Sequence, residues 1–505
     1  MILKTLRYEL AEGIATITFD EQGSLVNTMC QQWQQDLAAA TTQLLNDMAQ
    51  VRGVILASAK TTFFAGADLK AVMRTNADDG PRFFKEIEAI KRCFRQIETQ
   101  GVPVVTCING AALGGGLEVA LVGHHRIAVN SPKILLGFPE VNLGLMPGGG
   151  GITKLTRLLG LVAAQPYLLE CKLFNPQEAH QLGVVHELVD NEAQLRERAL
   201  AFIEAAQGKP EAAQHVWDRK GYSMPGGSPS SPKLAGLLSV APAVLKQKTR
   251  GLYPAPEAAL AAMVEGALVD FDTAMRIESR HLASLMRSQV TRNMINTFFF
   301  NMNSMKAAKV EAAQPDAKDA REDAVHALVA KARGNSKPSS LAASADFFGR
   351  LLDAYLSEAK RLLEEGVPAA AIENLALQAG MAVGPIALHQ AIASDDLRAD
   401  KGTASMSAVP VDQLQDIKDR LLFGMSLEAA RCLAEGKVAS VAQANIGSIF
   451  GLGFPAWAGG ALQFIYGQSL SVFEARSQEL AQRFGARFAL SPEVMAALKQ
   501  HQPVY

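Results

Sequence analysis

Short apolar runs alternate with helical stretches through the first 200 residues. Residues 14–19 (IATITF) read as a strand, and residues 31–50 carry a helical period. Residues 54–57 (VILA) are apolar at every position, as in a strand covered on both faces of its sheet. A helical stretch at 81–99 and strands at 102–108 and 126–129 continue the alternation, which predicts an α/β domain. From 161 to about 301 the pattern is largely helical. A Pro/Gly/Ser-rich interruption at 208–232 is expected as a surface excursion, and the apolar knot at 297–302 (TFFFNM) is expected to pack against the first domain or line a pocket there. Residues 303 to about 340 lose their aromatics to Ala, Lys, Asp, Glu, Ser and Pro, and read as a linker.

Beyond the linker the chain repeats itself with an offset of 70 residues. Arg350-Leu351-Leu352 matches Arg420-Leu421-Leu422, Glu358-Ala359 matches Glu428-Ala429, and Arg361, Leu363, Glu365 and Gly366 match Arg431, Leu433, Glu435 and Gly436. Pro385 matches Pro455. Each copy reads as an amphipathic helix ended by a C-cap glycine, a second helix and a Gly/Pro turn, which predicts two units packed face to face in an all-α domain. Recurrence of the Glu and Arg in both copies favours a structural i,i+3 pair over a catalytic role.

A length of 505 residues implies two to four domains. The net charge of −1, from 49 basic and 50 acidic residues, excludes the basic balance of a nucleic-acid binder or an electrostatic membrane attachment. Five scattered cysteines, none in a CxxC, read as reduced core thiols of a cytoplasmic protein with no metal site. The N-terminus MILKTLRYEL has no secretory or transit pattern, and no apolar cluster approaches the ~18 residues of a membrane span.

The chemistry gathers in residues 111–151. Gly114, Gly115 and Gly116 stand between an apolar run and an amphipathic segment, the pattern of a strand, a tight turn and a helix start, where backbone N–H groups lack partners and glycine lets an anionic oxygen approach. Glu118 follows within a turn, and Glu140 lies in the next loop (GFPE). Two carboxyls beside a backbone anion site suit proton transfer next to a polarised carbonyl. Residues 61–70 (TTFFAGADLK) offer a second turn with free N–H groups, in which Asp68 reads as an N-cap rather than a catalyst. The PGGGG run at 147–151 fails the dinucleotide pattern, because Thr153 stands where the last glycine is needed, and lacks the GK[ST] of a P-loop. It reads as a turn that frames the site. His124 and His125 have no partners at ligand spacing and read as packed or surface histidines.

These blocks, AGAD at 65–68, ALGGGLE at 112–118 and GFPEVNLGLMPGGGG at 137–151, resemble the signatures of the crotonase (enoyl-CoA hydratase/isomerase) superfamily, in the same order. Residues 1–303 resemble the hydratase half of bacterial fatty-acid-oxidation multifunctional enzymes, supported by WDRKGYSMPGGSP at 217–229 and the TFFFNM segment. Residues 345–500 resemble the duplicated C-terminal helical domain of 3-hydroxyacyl-CoA dehydrogenase, most clearly in ANIGSIFGLGFPAWAGG at 444–460. The resemblance implies a crotonase-like ββα spiral core (1–200), its helical extension (201–303), a linker (304–340) and an all-α domain (341–505). It also implies catalytic Glu118 and Glu140, an oxyanion hole at the Ala67 and Gly115 amides, and CoA binding along Ala65, Asp68, Leu69 and Lys70, with a phosphate contact at Lys70. The substrate would be an acyl-CoA thioester, hydrated or isomerised. A homodimer through the helical domain and a thiolase are the candidate partners.

One departure shapes the expectation. In the multifunctional enzymes a dinucleotide-binding domain separates the two halves. Here the stretch at 303–340 is far short of the ~100 residues a domain needs. No G-x-G-x-x-G occurs in the chain, and Gly349-Arg350 leaves Gly where that family has a substrate-contacting Asn. No NAD site and no dehydrogenase activity are therefore expected.

Overall fold

Strands β1 (Leu6–Ala11) and β2 (Ile14–Phe19) form a hairpin closed by Glu12 and Gly13, whose φ values of 52° and 77° suit the tight two-residue turn that matches strand twist. β2 then pairs in parallel with β3 (Gly53–Ser58), and the sheet continues through β4 (Val104–Ile108), β5 (His125–Val129) and β6 (Glu187–Val189), all parallel. β4 is buried at every position because both faces are covered. On one face Ile14, Ile55, Val105 and Ile127 meet Leu195, Ala199 and Ile203 of helix Ala193–Ala205. A Cβ at Gly53 would lie 2.5 Å from Ile203, so glycine is what lets that helix approach. On the other face Phe19, Trp33, Phe63, Phe64 and Phe94 pack edge to face.

This computed structural model describes residues 1–74, 77–307, 321–334, 344–392 and 409–503. The chain divides into two compact units, Met1–Ser288 and Gln289–Tyr505. Within the first unit a second, two-stranded sheet pairs Ala112–Leu113 with Leu136–Gly137. Single bridges tie Phe64 to Ala112 and Leu136 to Phe174. These rungs align the loops at 64–68, 112–118 and 137–140 beside one another. The polar stretch at 208–232 is not merely the expected surface excursion. His215 and Trp217 within it are buried, their rings stack, Trp217 stacks in turn on Phe271, and the Tyr222 hydroxyl donates to the Arg157 carbonyl at 2.6 Å.

In the second unit, helices Ala345–Glu364 and Leu414–Ala434 begin the two copies of the repeat. Gly366 and Gly436 follow them with φ of 88° and 70°, the left-handed cap that glycine adopts without strain. The repeated charges do form the i,i+3 pairs Arg361–Glu358 and Arg431–Glu428. Their tighter use is across the copies. Arg350 donates to Glu428 and Glu435, and Arg420, its counterpart, donates to Glu358 and Glu365. Each copy thus binds the other through the same two positions, and Phe347, Leu351, Tyr355, Leu421 and Phe423 fill the core around them.

Two expectations are corrected here. TFFFNM belongs to the second unit: it forms a wide π-type turn, Asn296–Asn301, in which Thr297 Oγ1 donates to the Gly459 carbonyl at 2.5 Å and Phe298 meets Phe450. The expected linker at 304–340 is not wholly a linker. Residues 308–320 and 335–340 lie outside the described residues, but helix Glu322–Ala332 buries Val325 and Val329 in the second unit's core. Among the described residues no helix is long and apolar enough to cross a membrane.

Candidate active site

Gly114 starts the site. Its φ of 55° and ψ of −125° belong to glycine, and its carbonyl accepts from Leu117 and Glu118, opening the short helix Gly115–Ala120. Its own N–H donates to the Gly137 carbonyl at 2.8 Å, which holds the 137–140 loop against it. A Cβ on Gly114 would stand 2.5 Å from Glu140 Oε1, and one on Gly115 would stand 2.8 Å from Met29 Sδ and 3.5 Å from the Gly66 Cα. The glycine run therefore lets three loops converge at backbone distance.

Between them lies a cavity of about 350 Å³ lined by Ala67, Asp68, Gly115, Glu118 and Glu140. Its apolar wall includes Val72, Phe83, Ile87, Ile90, Leu282 and Met286. Among the described residues neither the Ala67 nor the Gly115 amide donates to a protein acceptor. Of the remaining positions named from the sequence, Ala65 is exposed on the same loop, Lys70 is exposed and Leu69 buried in the first turn of helix Leu69–Met73, and none of the three lines the cavity. Asp68 accepts from the Lys70 N–H at 3.0 Å and so caps helix Leu69–Met73.

The two acids sit in different environments. Glu118 is 3% exposed, and its Oε1 accepts from the Gly149 and Gly151 N–H groups at 2.6 and 2.8 Å. Burial, reinforced by the nearby Glu278 carboxylate, pushes its carboxyl up to about 7, against the pull of Gly151, Lys91 and Gly149. Glu140 is raised well above the usual carboxylate range by burial and then by Glu118. Its Oε2 is buried without a hydrogen-bond partner. Two neighbouring carboxyls whose surroundings both favour the protonated form can divide acid and base roles near neutral pH.

Sequence reasoning missed Glu278. It is fully buried on helix Phe271–Met286, and it accepts from Gly150 N–H at 2.6 Å and from the Thr153 N–H and hydroxyl at 2.9 and 2.8 Å. Lys91, 4% exposed, stands 3.3 Å from it. The signal was available: Glu278 follows Phe271, Ala274 and Met275 on the buried face of its helix, and Lys91 lies between Phe83 and Phe94 on the buried face of Gly80–Glu98. A charge in a core position needs a partner. The glycine loop at 147–151 frames the site as expected, by holding both Glu118 and Glu278. Among the described residues no group of three or more His, Cys, Asp or Glu could hold a metal ion, and His124 is packed, its Nδ1 accepting from the Val104 N–H.

Residues 9–219 match the family Enoyl-CoA hydratase/isomerase. The fatty acid oxidation complex subunit alpha of Shewanella frigidimarina (strain NCIMB 400) is 30% identical over 305 residues, which are 60% of this chain and 42% of that subunit. The chain thus spans about two fifths of the length of the curated relatives it matches. Among solved structures, the enoyl-CoA hydratase from Bacillus halodurans is 22% identical with a TM-score of 0.42, covering 58% of this chain and 99% of its own. The human mitochondrial delta3-delta2-enoyl-CoA isomerase is 22% identical with a TM-score of 0.44, covering 60% and 99%. By this match, residues 9–219 carry an enoyl-CoA hydratase/isomerase domain.

Proposed function

We propose that the chain adds water across the double bond of trans-2-enoyl-CoA thioesters, as a step of fatty-acid β-oxidation. The observation that carries this reading is the pair of buried carboxyls, Glu118 and Glu140, facing one cavity with the free Ala67 and Gly115 amides. The two amides hold the thioester carbonyl oxygen. Ionised Glu118 takes a proton from water, the resulting hydroxide adds to C3, and electron density moves onto the oxygen held by the amides. Protonated Glu140 delivers a proton to C2, which completes the addition. Water from solvent restores both acids to their starting states. Each N–H donor is worth about 10²–10³ in rate, and each proton-transfer group about 10²–10⁴. The apolar wall from Val72 to Met286 takes the acyl chain, and Lys70, exposed in the first turn of helix Leu69–Met73, contacts a CoA phosphate.

A second reading, Δ3–Δ2 isomerisation, needs the same amides and one carboxyl. Two acids raised above the usual range favour hydration, because hydration uses a base and an acid at once. Loss of enoyl absorbance from crotonyl-CoA tests the first reading, and its gain from a 3-enoyl-CoA tests the second. A chain that does the second and never the first overturns hydration.

The helical half has a different proposed role. With no dinucleotide motif in the chain, it serves association, with a second copy or with a thiolase, and carries no NAD-dependent step. Sizing the chain with and without a thiolase, and assaying 3-hydroxyacyl-CoA with NAD for NADH formation, tests both parts.

A further inference from the structure

The loop at 147–151 divides its N–H groups between two carboxylates. Gly149 and Gly151 donate to Glu118, and Gly150, between them, donates to Glu278. Glu278 has no route to the cavity that Glu118 lines. Its oxygens are occupied by Gly150, by both donors of Thr153 and by Lys91. Lys91 Nζ is fastened in turn to the Met275 carbonyl at 2.6 Å and to Ser279 Oγ at 2.8 Å. Ser279 Oγ also lies 2.6 Å from Glu88 Oε1. Helices Gly80–Glu98 and Phe271–Met286 thus hold the loop from behind through a buried ion pair.

Burying such a pair is costly, and replacing it with apolar side chains is often neutral or better for stability. A loop needing only an anchor would be served by a neutral capping side chain. The charge has a consequence at the next carboxyl. A buried carboxylate held by the next N–H of the same loop makes a second negative charge on Glu118 harder to sustain. We propose that Glu278, held by Lys91, is a positioning residue for hydration: it fixes the 147–151 loop from behind and, through its charge, sets the pH at which Glu118 becomes a base. This rests on the reading of Glu118 as the base. The charged groups facing Glu118 are Glu140 from the 137–140 loop, Glu278 from helix Phe271–Met286 and Lys91 from helix Gly80–Glu98. Lys154, on the helix that follows the loop, is paired with Glu98. Of the two groups behind the loop, the Glu278 charge raises Glu118 and the Lys91 charge lowers it, with Glu278 the larger influence.

The test reads the Glu118 carboxyl directly. In the full chain labelled with ¹³C at Glu side-chain carboxyls, the Glu118 signal is assigned by its loss in Glu118→Gln, and its titration is followed by NMR. Glu278→Gln is expected to move the midpoint down by about one pH unit. The double variant Glu278→Gln, Lys91→Met, a neutral pair of similar shape, moves it down by less. Thr153→Val, which removes the hydroxyl bond to Glu278 but keeps the charge, leaves it in place. The acidic limb of kcat/KM for crotonyl-CoA moves with the carboxyl. If Glu278→Gln leaves the midpoint unchanged, or Thr153→Val moves it as far, Glu278 is an anchor only and the proposal is overturned. Should Glu278→Gln fail to fold, the double variant decides in the same way. A wild-type chain that hydrates nothing overturns the function proposed above but leaves the carboxyl titration readable.

Discussion

Glu118 and Glu278 occupy alternate N–H groups of one five-residue loop, Glu118 on Gly149 and Gly151 and Glu278 on Gly150, although 160 residues of chain separate them. One carboxyl faces the cavity and the other is sealed behind it. A run of glycines lets successive N–H groups turn to opposite sides, which side chains on the loop would obstruct. A Cβ at Gly149 would stand 2.7 Å from Glu118 Oε2.

Glu118→Gln keeps the shape of the side chain and removes the proposed base. Hydration of crotonyl-CoA is expected to fall by about 10³-fold, with circular dichroism unchanged. A variant retaining wild-type rate would remove Glu118 from the mechanism.

Gly114→Ala strains the backbone and intrudes on the second acid. The φ of 55° costs a side-chain-bearing residue about 1–3 kcal/mol, and the added methyl would meet Glu140 Oε1 at 2.5 Å. Stability drops by that amount in denaturant titration. Activity falls by about 10²-fold or more, as expected when a proton donor is displaced by about 1 Å.

Glu118 also ties stability to pH. Its folded carboxyl stands at about 7 against an ordinary 4.5, so the folded chain binds this proton more tightly than the unfolded chain does. The associated stabilisation is full below about 4.5 and is lost as pH rises through about 7, a span worth roughly 3 kcal/mol at 1.36 kcal/mol per unit. Unfolding measured across this window should show a slope that Glu118→Gln flattens. Equal slopes in both chains would contradict the assignment.

Arg420 is 2% exposed and holds Glu358, itself 2% exposed, at 2.6 Å. Burial raises the Glu358 carboxyl, but the Arg487 and Arg420 hydrogen bonds outweigh it and hold the group below its ordinary range. Arg420→Met removes a main partner and is expected to destabilise the second unit by about 3 kcal/mol. Hydrogen exchange should rise first in Ala345–Glu364 and Leu414–Ala434. Adding Glu358→Gln should not return the loss, because Arg487, which also holds both Glu358 oxygens, then loses its own partner.

The amino-acid sequence by itself determined the local elements and singled out the carboxyls that line the cavity. Period and apolar runs mark the strands at 14–19 and 104–108 and the helix at 80–98 to within two residues, because burial on a sheet face or helix stripe is written in alternation. The glycines flanking Glu118, and the repeat ending at Gly366 and Gly436, are legible because only glycine serves those backbone angles. Tertiary structure decided which distant groups meet. Nothing near Gly150 in the chain announces Glu278, 128 residues on, and nothing near Arg350 announces Glu428, because a buried charge finds its partner across packed helices rather than along the chain. The same holds for TFFFNM: its apolarity suggests cover, but only Thr297 is buried, bonded to the Gly459 carbonyl, while Phe299 is exposed.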